Sequence, residues 1–114
     1  MCFFKKNKNK DFEGNRDDQD LVNQIHGGIK AMIARGNGQD VKDAAQELFV
    51  RVEYMPVSPK NSVHKIDQKI INQLSEGSVV LNKDPNASEK ALAVLKEIEI
   101  LLIQREVAYK SSKD

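Results

Sequence analysis

Few side chains in this sequence are of types that carry out chemistry, and their spacing decides whether they can work together. Histidine, the usual proton-transfer group near neutral pH, occurs only as His26 and His64. His64 and Asp67 are three residues apart, a helical spacing that permits carboxylate-assisted proton transfer. No cysteine lies near either histidine to complete a zinc set. We interpret both as surface histidines on separate helices and expect no metal and no cofactor.

Acidic residues cluster at 17–20 in a pattern that at first resembles a calcium loop. Asp17, Asp18 and Asp20 are interleaved with polar residues, but the central glycine and the closing glutamate of such a loop are missing. Carboxylates near the start of a helix interact favourably with its dipole, by about 0.3–1 kcal/mol each. We interpret these three residues as helix-start acids.

Candidate nucleophiles have no supporting pattern either. No serine stands in a Gly-x-Ser-x-Gly motif, and the single cysteine, Cys2, is remote from both histidines. We therefore predict a protein that is not an enzyme.

Composition excludes several classes of partner. The 114 residues fit one domain, and their formal charge of +1 lacks the basic excess of nucleic-acid-binding domains. Aromatic residues, at 5%, are too few to form a platform for stacked bases. A single cysteine allows no internal disulfide, and no run approaches the roughly 18 apolar residues of a membrane span. The expected location is the cytoplasm, with the inner membrane face as the more specific alternative.

Residues 1–17 show no sustained apolar periodicity and are rich in lysine and asparagine. We predict a flexible basic N-terminal arm, followed by a helical bundle domain over residues 18–114. The arm is expected to be solvated. The alternative is a weak peripheral contact with a membrane surface through Phe3, Phe4, Lys5 and Lys6.

The first predicted helix follows the arm. Its start is placed at Asp18 or Asp20 and its end at Gly36. Between them, apolar residues recur at every third or fourth position, at Leu21, Val22, Ile25, Ile29, Met32 and Ile33. The pair Gly27 and Gly28 inside this helix indicates a kink or a close helix crossing.

The second predicted helix is capped by Asp40 and stopped by Pro56. Its apolar positions are Val41, Ala44, Ala45, Leu48, Phe49 and Val52. Alternation near its end leaves a strand open as the alternative, in which residues 48–55 and 78–82 form a small hairpin.

The third predicted helix opens at Asn61 or Ser62 and ends just before Gly77, with Val63, Ile66, Ile70 and Leu74 on one face. The segment that follows, 78–82, has the apolar residues Val79, Val80 and Leu81 at its centre and is interpreted as a loop over the core or a short strand. Asp84 and Pro85 then supply a cap and a first turn for a fourth helix.

The apolar residues of the fourth helix extend most of the way around it once Ile100 and Ile103 are counted. Such a helix is either central or exposes a surface for a partner. Short linkers between the four helices predict an all-α, antiparallel four-helix bundle.

The order of elements carries a family resemblance over about residues 20–108. An amphipathic helix opens with Leu-Val-Asn-Gln-Ile at residues 21–25, an Ala-Ala helix ends at a proline, and two further helices follow. This organisation resembles that of the cytoplasmic immunity proteins of bacteria that produce pediocin-like (enterocin A type) bacteriocins. The resemblance implies a four-helix bundle that protects the producing cell by engaging the bacteriocin together with its sugar-transporter receptor at the inner membrane face.

The sequence thus predicts a non-enzymatic interaction protein, and the resemblance implies one of the bacteriocin immunity kind. The alternative is a self-associating regulatory protein that buries its surplus apolar face as a homodimer. The residues predicted to bind a partner are Val79, Val80, Leu81, Leu92, Ile100 and Ile103.

Overall fold

Four α-helices make up the fold. A computed structural model describes the backbone of residues 4–111 and the side chains of residues 18–111. The helices are α1 (Phe4–Arg35), α2 (Gln39–Glu53), α3 (Asn61–Lys83) and α4 (Ser88–Lys110). The predicted all-α four-helix bundle is confirmed.

The four helices are arranged as a square. α1 and α4 each pack against both α2 and α3, while α1 lies diagonally across from α4, and α2 across from α3. The segment between α2 and α3 therefore crosses the diagonal of the bundle.

Contacts between named residues give the helix directions. His26 on α1 bonds to the carbonyl of Val52 on α2, and the other end of α1, at Gly36, meets Val41. These two helices are therefore antiparallel. The same reasoning makes α3 and α4 antiparallel, because Gly77 lies against Val94 and Asp67 pairs with Arg105.

The two remaining neighbouring pairs run parallel. On α1 and α3, Asp18 pairs with His64 and Gly28 meets Leu74. On α2 and α4, Gly38, directly before α2, lies beside Ser88 at the start of α4, and Arg51 pairs with Glu99 further along both helices. The molecule thus consists of two antiparallel helical hairpins that lie side by side.

The core is formed where the apolar stripes of all four helices meet. Stripes at a spacing of three and four residues leave their helices amphipathic, and burying them against each other is the main stabilising term. The fully buried side chains of the largest volume include Ile25, Ile29, Met32, Ile70, Leu81 and Ile98.

The start of the first helix was wrongly predicted. α1 begins at Phe4, not at Asp18 or Asp20, and residues 4–17 contain no proline that would stop a helix. The predicted mobility of residues 1–17 and the predicted membrane contact of Phe3, Phe4, Lys5 and Lys6 lie outside the described side chains and stay predictions.

Gly77 was wrongly predicted to end the third helix. α3 continues to Lys83, so residues 78–82 form neither a loop nor a strand. Gly77 is buried where three helices meet. A β-carbon there would lie 2.8 Å from Met32 Cε and 3.2 Å from Val94 Cγ1. Its lack of a side chain thus serves close helix packing, and the hairpin alternative for 48–55 and 78–82 is wrong.

Two predicted caps were also displaced. Gly38, not Asp40, precedes α2 as its N-cap residue. α4 begins at Ser88 because Pro85 and Asn86 form a turn that is tied to the α1–α2 connection. There, the amide of Asn37 donates to the carbonyl of Pro85. Asp84 Oδ1 accepts the amide hydrogen of Asn86, which stabilises the turn rather than a helix start.

The adjacent glycines of α1 give a matched prediction. A β-carbon on Gly28 would lie 2.8 Å from Leu74 Cδ1, whereas one on Gly27 would meet nothing within 4 Å. We expect Gly28→Ala to lower the free energy of unfolding by about 1–3 kcal/mol through overpacking. Gly27→Ala should raise it by up to about 1 kcal/mol through helix propensity.

Urea denaturation of both glycine variants beside the wild type measures the two free energies. Equal effects of the two changes would contradict the close crossing of α1 and α3 at Gly28.

None of the described helices combines the length and the apolar composition that crossing a bilayer requires.

Candidate interaction surface

Exposed apolar side chains are concentrated on two neighbouring helices of the bundle. Six of the seven large hydrophobic residues that are exposed within residues 18–111 belong to α2, its C-cap or α4, and only Val79 belongs to α3. We call the side formed by these two helices the α2–α4 face. Its six exposed hydrophobic residues are Val50, Tyr54, Ile100, Ile103, Val107 and Tyr109.

Three exposed aliphatic residues of α4 follow a helical spacing of their own. Ile100, Ile103 and Val107 are 44%, 49% and 67% exposed and stand three and four residues apart. They form a second apolar stripe on the side of α4 that faces away from the core. An amphipathic helix of a monomeric bundle needs only one such stripe. The second stripe is therefore available for contact with another protein.

The first of two grooves lies between α2 and α4 and has a volume of about 590 Å³. Leu48, Leu92 and Leu95 are among the apolar residues that line it, and Glu47 and Lys96 line it from opposite helices. No ion pair joins Glu47 to Lys96 among the described residues. The groove thus combines apolar lining with one unpaired charge of each sign.

The second groove, of about 510 Å³, continues the same face toward the end of α4. Two tyrosines, Tyr54 and Tyr109, line it together with the apolar side chains of Met55 and Leu102. Tyrosine combines an apolar ring with a hydroxyl group and is enriched at protein interfaces. Both grooves therefore lie on the α2–α4 face and present chemistry that suits a protein surface.

The six residues predicted to bind a partner are not brought together. Ile100 and Ile103 lie exposed on the α2–α4 face, and Leu92 is half-buried in the first groove. Val79 is exposed and Val80 half-buried, but both lie on α3.

Leu81 lies in the core, 1% exposed, so it offers no surface to a partner. The predicted set thus divides between two helices, and only its α4 members share a face with the grooves.

The histidines are engaged in structural contacts and are only partly exposed. His64 Nε2 lies 2.6 Å from Asp18 Oδ1 and 2.8 Å from the carbonyl oxygen of Ser58. Both oxygens are acceptors, so this nitrogen carries the hydrogen that it donates. His26 Nε2 lies 2.6 Å from the carbonyl oxygen of Val52. The interpretation of both as plain surface histidines therefore needs correction.

Asp67 does not face His64 as the sequence spacing suggested. Its carboxylate accepts hydrogen bonds from Arg105 at 2.6 and 3.4 Å, and the side chains of this pair are only 2% and 3% exposed. Arg105 also donates to the carbonyl oxygen of Pro56 at 3.0 Å. The arginine thus links α3, α4 and the segment between α2 and α3.

The predicted role of Asp18 as a helix-start acid is wrong. It lies inside α1, is 7% exposed and binds His64. Asp17 and Cys2 lie outside residues 18–111, the part of the chain whose side chains are described. Within residues 18–111, no three metal-ligating side chains come together.

Comparison of the chain with protein-family models, with curated proteins and with solved structures finds no match.

Proposed function

We propose that this chain is a non-catalytic helical interaction protein that binds a protein partner through its α2–α4 face. The observation that carries the proposal is the concentration of exposed hydrophobic residues there, six of seven within residues 18–111. Contiguous exposed apolar patches on small proteins mark interaction sites. The grooves between α2 and α4 add concave surface for partner side chains.

The polar residues of the interior support a role without catalysis. Each of the groups that the sequence singled out for proton transfer holds the fold together, since His26, His64 and Asp67 each bind a partner within the bundle. A catalytic acid or base must instead reach a substrate.

The resemblance to bacteriocin immunity proteins supplies a specific form of the proposal. In that form the partner is a pediocin-like bacteriocin together with its sugar-transporter receptor, met at the inner membrane face. The exposed isoleucines Ile100 and Ile103 would then contact the partner, and protection of the cell would need no enzymatic step.

A survival assay tests this form. A bacteriocin-sensitive strain that expresses the chain is challenged with a panel of pediocin-like bacteriocins, and the concentration needed for killing is measured. We expect the wild-type chain to raise that concentration for at least one member. Ile103→Glu should remove the effect, because a charge buried within an interface weakens binding roughly tenfold or more.

A matched control places the same charge on another face. Ser75 is exposed on α3, so Ser75→Glu should fold normally and still protect. Circular dichroism and thermal unfolding of each variant establish that the fold is kept. Protection that survives Ile103→Glu but is lost in Val79→Glu would place the binding surface on α3 and contradict the proposal.

A further inference from the structure

The parallel packing of α2 and α4 sets which of their residues lie at the same height. Gly38 lies beside Ser88, and Arg51 pairs with Glu99. Each position of α2 therefore lies level with a position of α4 that is numbered 48 to 50 higher. On this scale Glu47 is level with 95–97, Val50 with 98–100 and Tyr54 with 102–104.

At each of these heights the exposed side chains of the two helices are complementary. Glu47 is level with Lys96, an exposed residue of opposite charge. One turn further along, Val50 is level with Ile100, and these side chains are 62% and 44% exposed. The third height holds Tyr54 and Ile103, 88% and 49% exposed. The α2–α4 face thus carries one acidic-to-basic match and two apolar matches.

Such a face is complementary to a copy of itself. Half a turn about an axis that lies on the face, between α2 and α4 and parallel to them, keeps every height unchanged. That operation places α2 of one copy over α4 of the other. Two-fold interfaces pair one patch with itself in this way, so each complementary pair occurs twice.

We propose that the partner of the α2–α4 face is a second copy of this chain, in a two-fold dimer with α2 of each copy packed on α4 of the other. Glu47 pairs with Lys96 of the second copy, Val50 packs on its Ile100 and Tyr54 on its Ile103. The dimer deepens the proposed function, since it uses the same face and closes that face when no other partner is bound.

The size of the face is adequate for a dimer. α4, with 23 residues, is about 34 Å long, and α2, with 15 residues, is about 22 Å long. At a width of about 10 Å each, the two helices present about 560 Å² per partner. A dimer would then bury about 1,100 Å² in total, which exceeds the roughly 1,000 Å² expected of a specific interface.

Sedimentation equilibrium of the full chain at micromolar concentration tests the proposal. We expect a dimer for the wild type. Ile103→Glu should raise the dissociation constant of the dimer by roughly a hundredfold, because two charges are introduced into one two-fold interface. Ser75→Glu, which adds the same charge on α3, should leave the dissociation constant unchanged.

Charge reversal tests the orientation of the two copies. Glu47→Lys and Lys96→Glu should each raise the dissociation constant by roughly tenfold, since each change creates two like-charge contacts. The double variant restores opposite charges at both places and should dimerise nearly as tightly as the wild type. A double variant weaker than either single variant would contradict the pairing of α2 with α4.

The failures of the two proposals are distinguishable. A chain that stays monomeric at about 100 μM, a concentration at which even a weak micromolar dimer would form, overturns the dimer whether or not it protects cells. If Ser75→Glu and Ile103→Glu raise the dissociation constant of the dimer equally, the α2–α4 face is not the dimer interface. Dimerisation without protection against any bacteriocin leaves the dimer standing and refutes the immunity form of the proposed function.

Discussion

Replacing Arg105 with methionine is expected to lower the free energy of unfolding by about 3–5 kcal/mol. The change leaves the carboxylate of Asp67, a residue 1% exposed, without the two hydrogen bonds that Arg105 donates. Burying a charge without a partner is among the costliest changes in a protein interior. Pro56 also loses the hydrogen bond to its carbonyl group. Urea denaturation, with comparison of midpoints and slopes, measures the effect.

Two further variants distinguish the cost of an unpaired buried carboxylate from the cost of losing a positive charge. Asp67→Leu combined with Arg105→Met removes both charges and should recover most of the stability, since apolar replacements of buried ion pairs are often neutral. Lys110→Met breaks only the exposed pair with Glu106, whose side chains are 71% and 62% exposed, and should cost less than about 1 kcal/mol. A similar cost for Arg105→Met would contradict the burial of its partner.

Ile98→Ala is the second severe change, and it is expected to lower the free energy of unfolding by about 2–5 kcal/mol. Ile98 is fully buried in the cluster shared by all four helices. Removing its outer carbons forfeits their burial and leaves a cavity that the neighbouring helices fill only partly. Chemical denaturation monitored by circular dichroism measures the loss.

The same substitution two residues further along provides the control. Ile100 is 44% exposed on the α2–α4 face, so Ile100→Ala should cost less than about 1 kcal/mol. Its effect should appear instead in the dissociation constant of the dimer. Equal destabilisation by the two changes would contradict the division of α4 into a core stripe and an outer stripe.

Much of the fold was predictable because burial imposes a period on the sequence. Residues such as Val22, Ile25, Ile29 and Met32 repeat as a helical face, and all four are buried. The end of the first helix was equally readable, since α1 stops at Arg35 immediately before Gly36. These features depend on neighbours within a few residues, which a single sequence displays directly.

The errors in helix boundaries came from tertiary contacts. A glycine after a run of apolar residues usually ends a helix, but Gly77 is required for the close approach of Met32 and Val94. Asp84 and Pro85 form a good helix start in isolation, yet the bond from Asn37 fixes them in a turn. In both cases the deciding contact lies on another helix or in a distant connection.

The partners of the buried polar side chains could likewise not be predicted from the sequence. The spacing indicated that His64 could pair with Asp67, the nearest carboxylate on the same helix face. In the structure, His64 instead pairs with Asp18, and Asp67 pairs with Arg105. The second of these pairs spans 38 residues. Such pairings depend on how helices are arranged around the square, which a single sequence does not display.

Two of the six exposed hydrophobic residues of the α2–α4 face were among the residues predicted to bind a partner. The surplus of apolar residues on α4 indicated Ile100 and Ile103 correctly as exposed positions. Val50 and Tyr54 fall within the alternating segment 48–55 and were not predicted to bind a partner. In the structure, Val50 lies exposed on α2 and Tyr54 is the exposed C-cap residue of that helix.

The side-by-side arrangement of two helical hairpins has a consequence for how the chain folds. Contacts within each hairpin, such as His26 with Val52 and Asp67 with Arg105, close shorter loops than the bond between Asp18 and His64. Shorter loops lose less chain entropy on closure. Each hairpin can therefore begin to assemble locally, and the parallel seam between them is the step that requires the whole polypeptide to be in place.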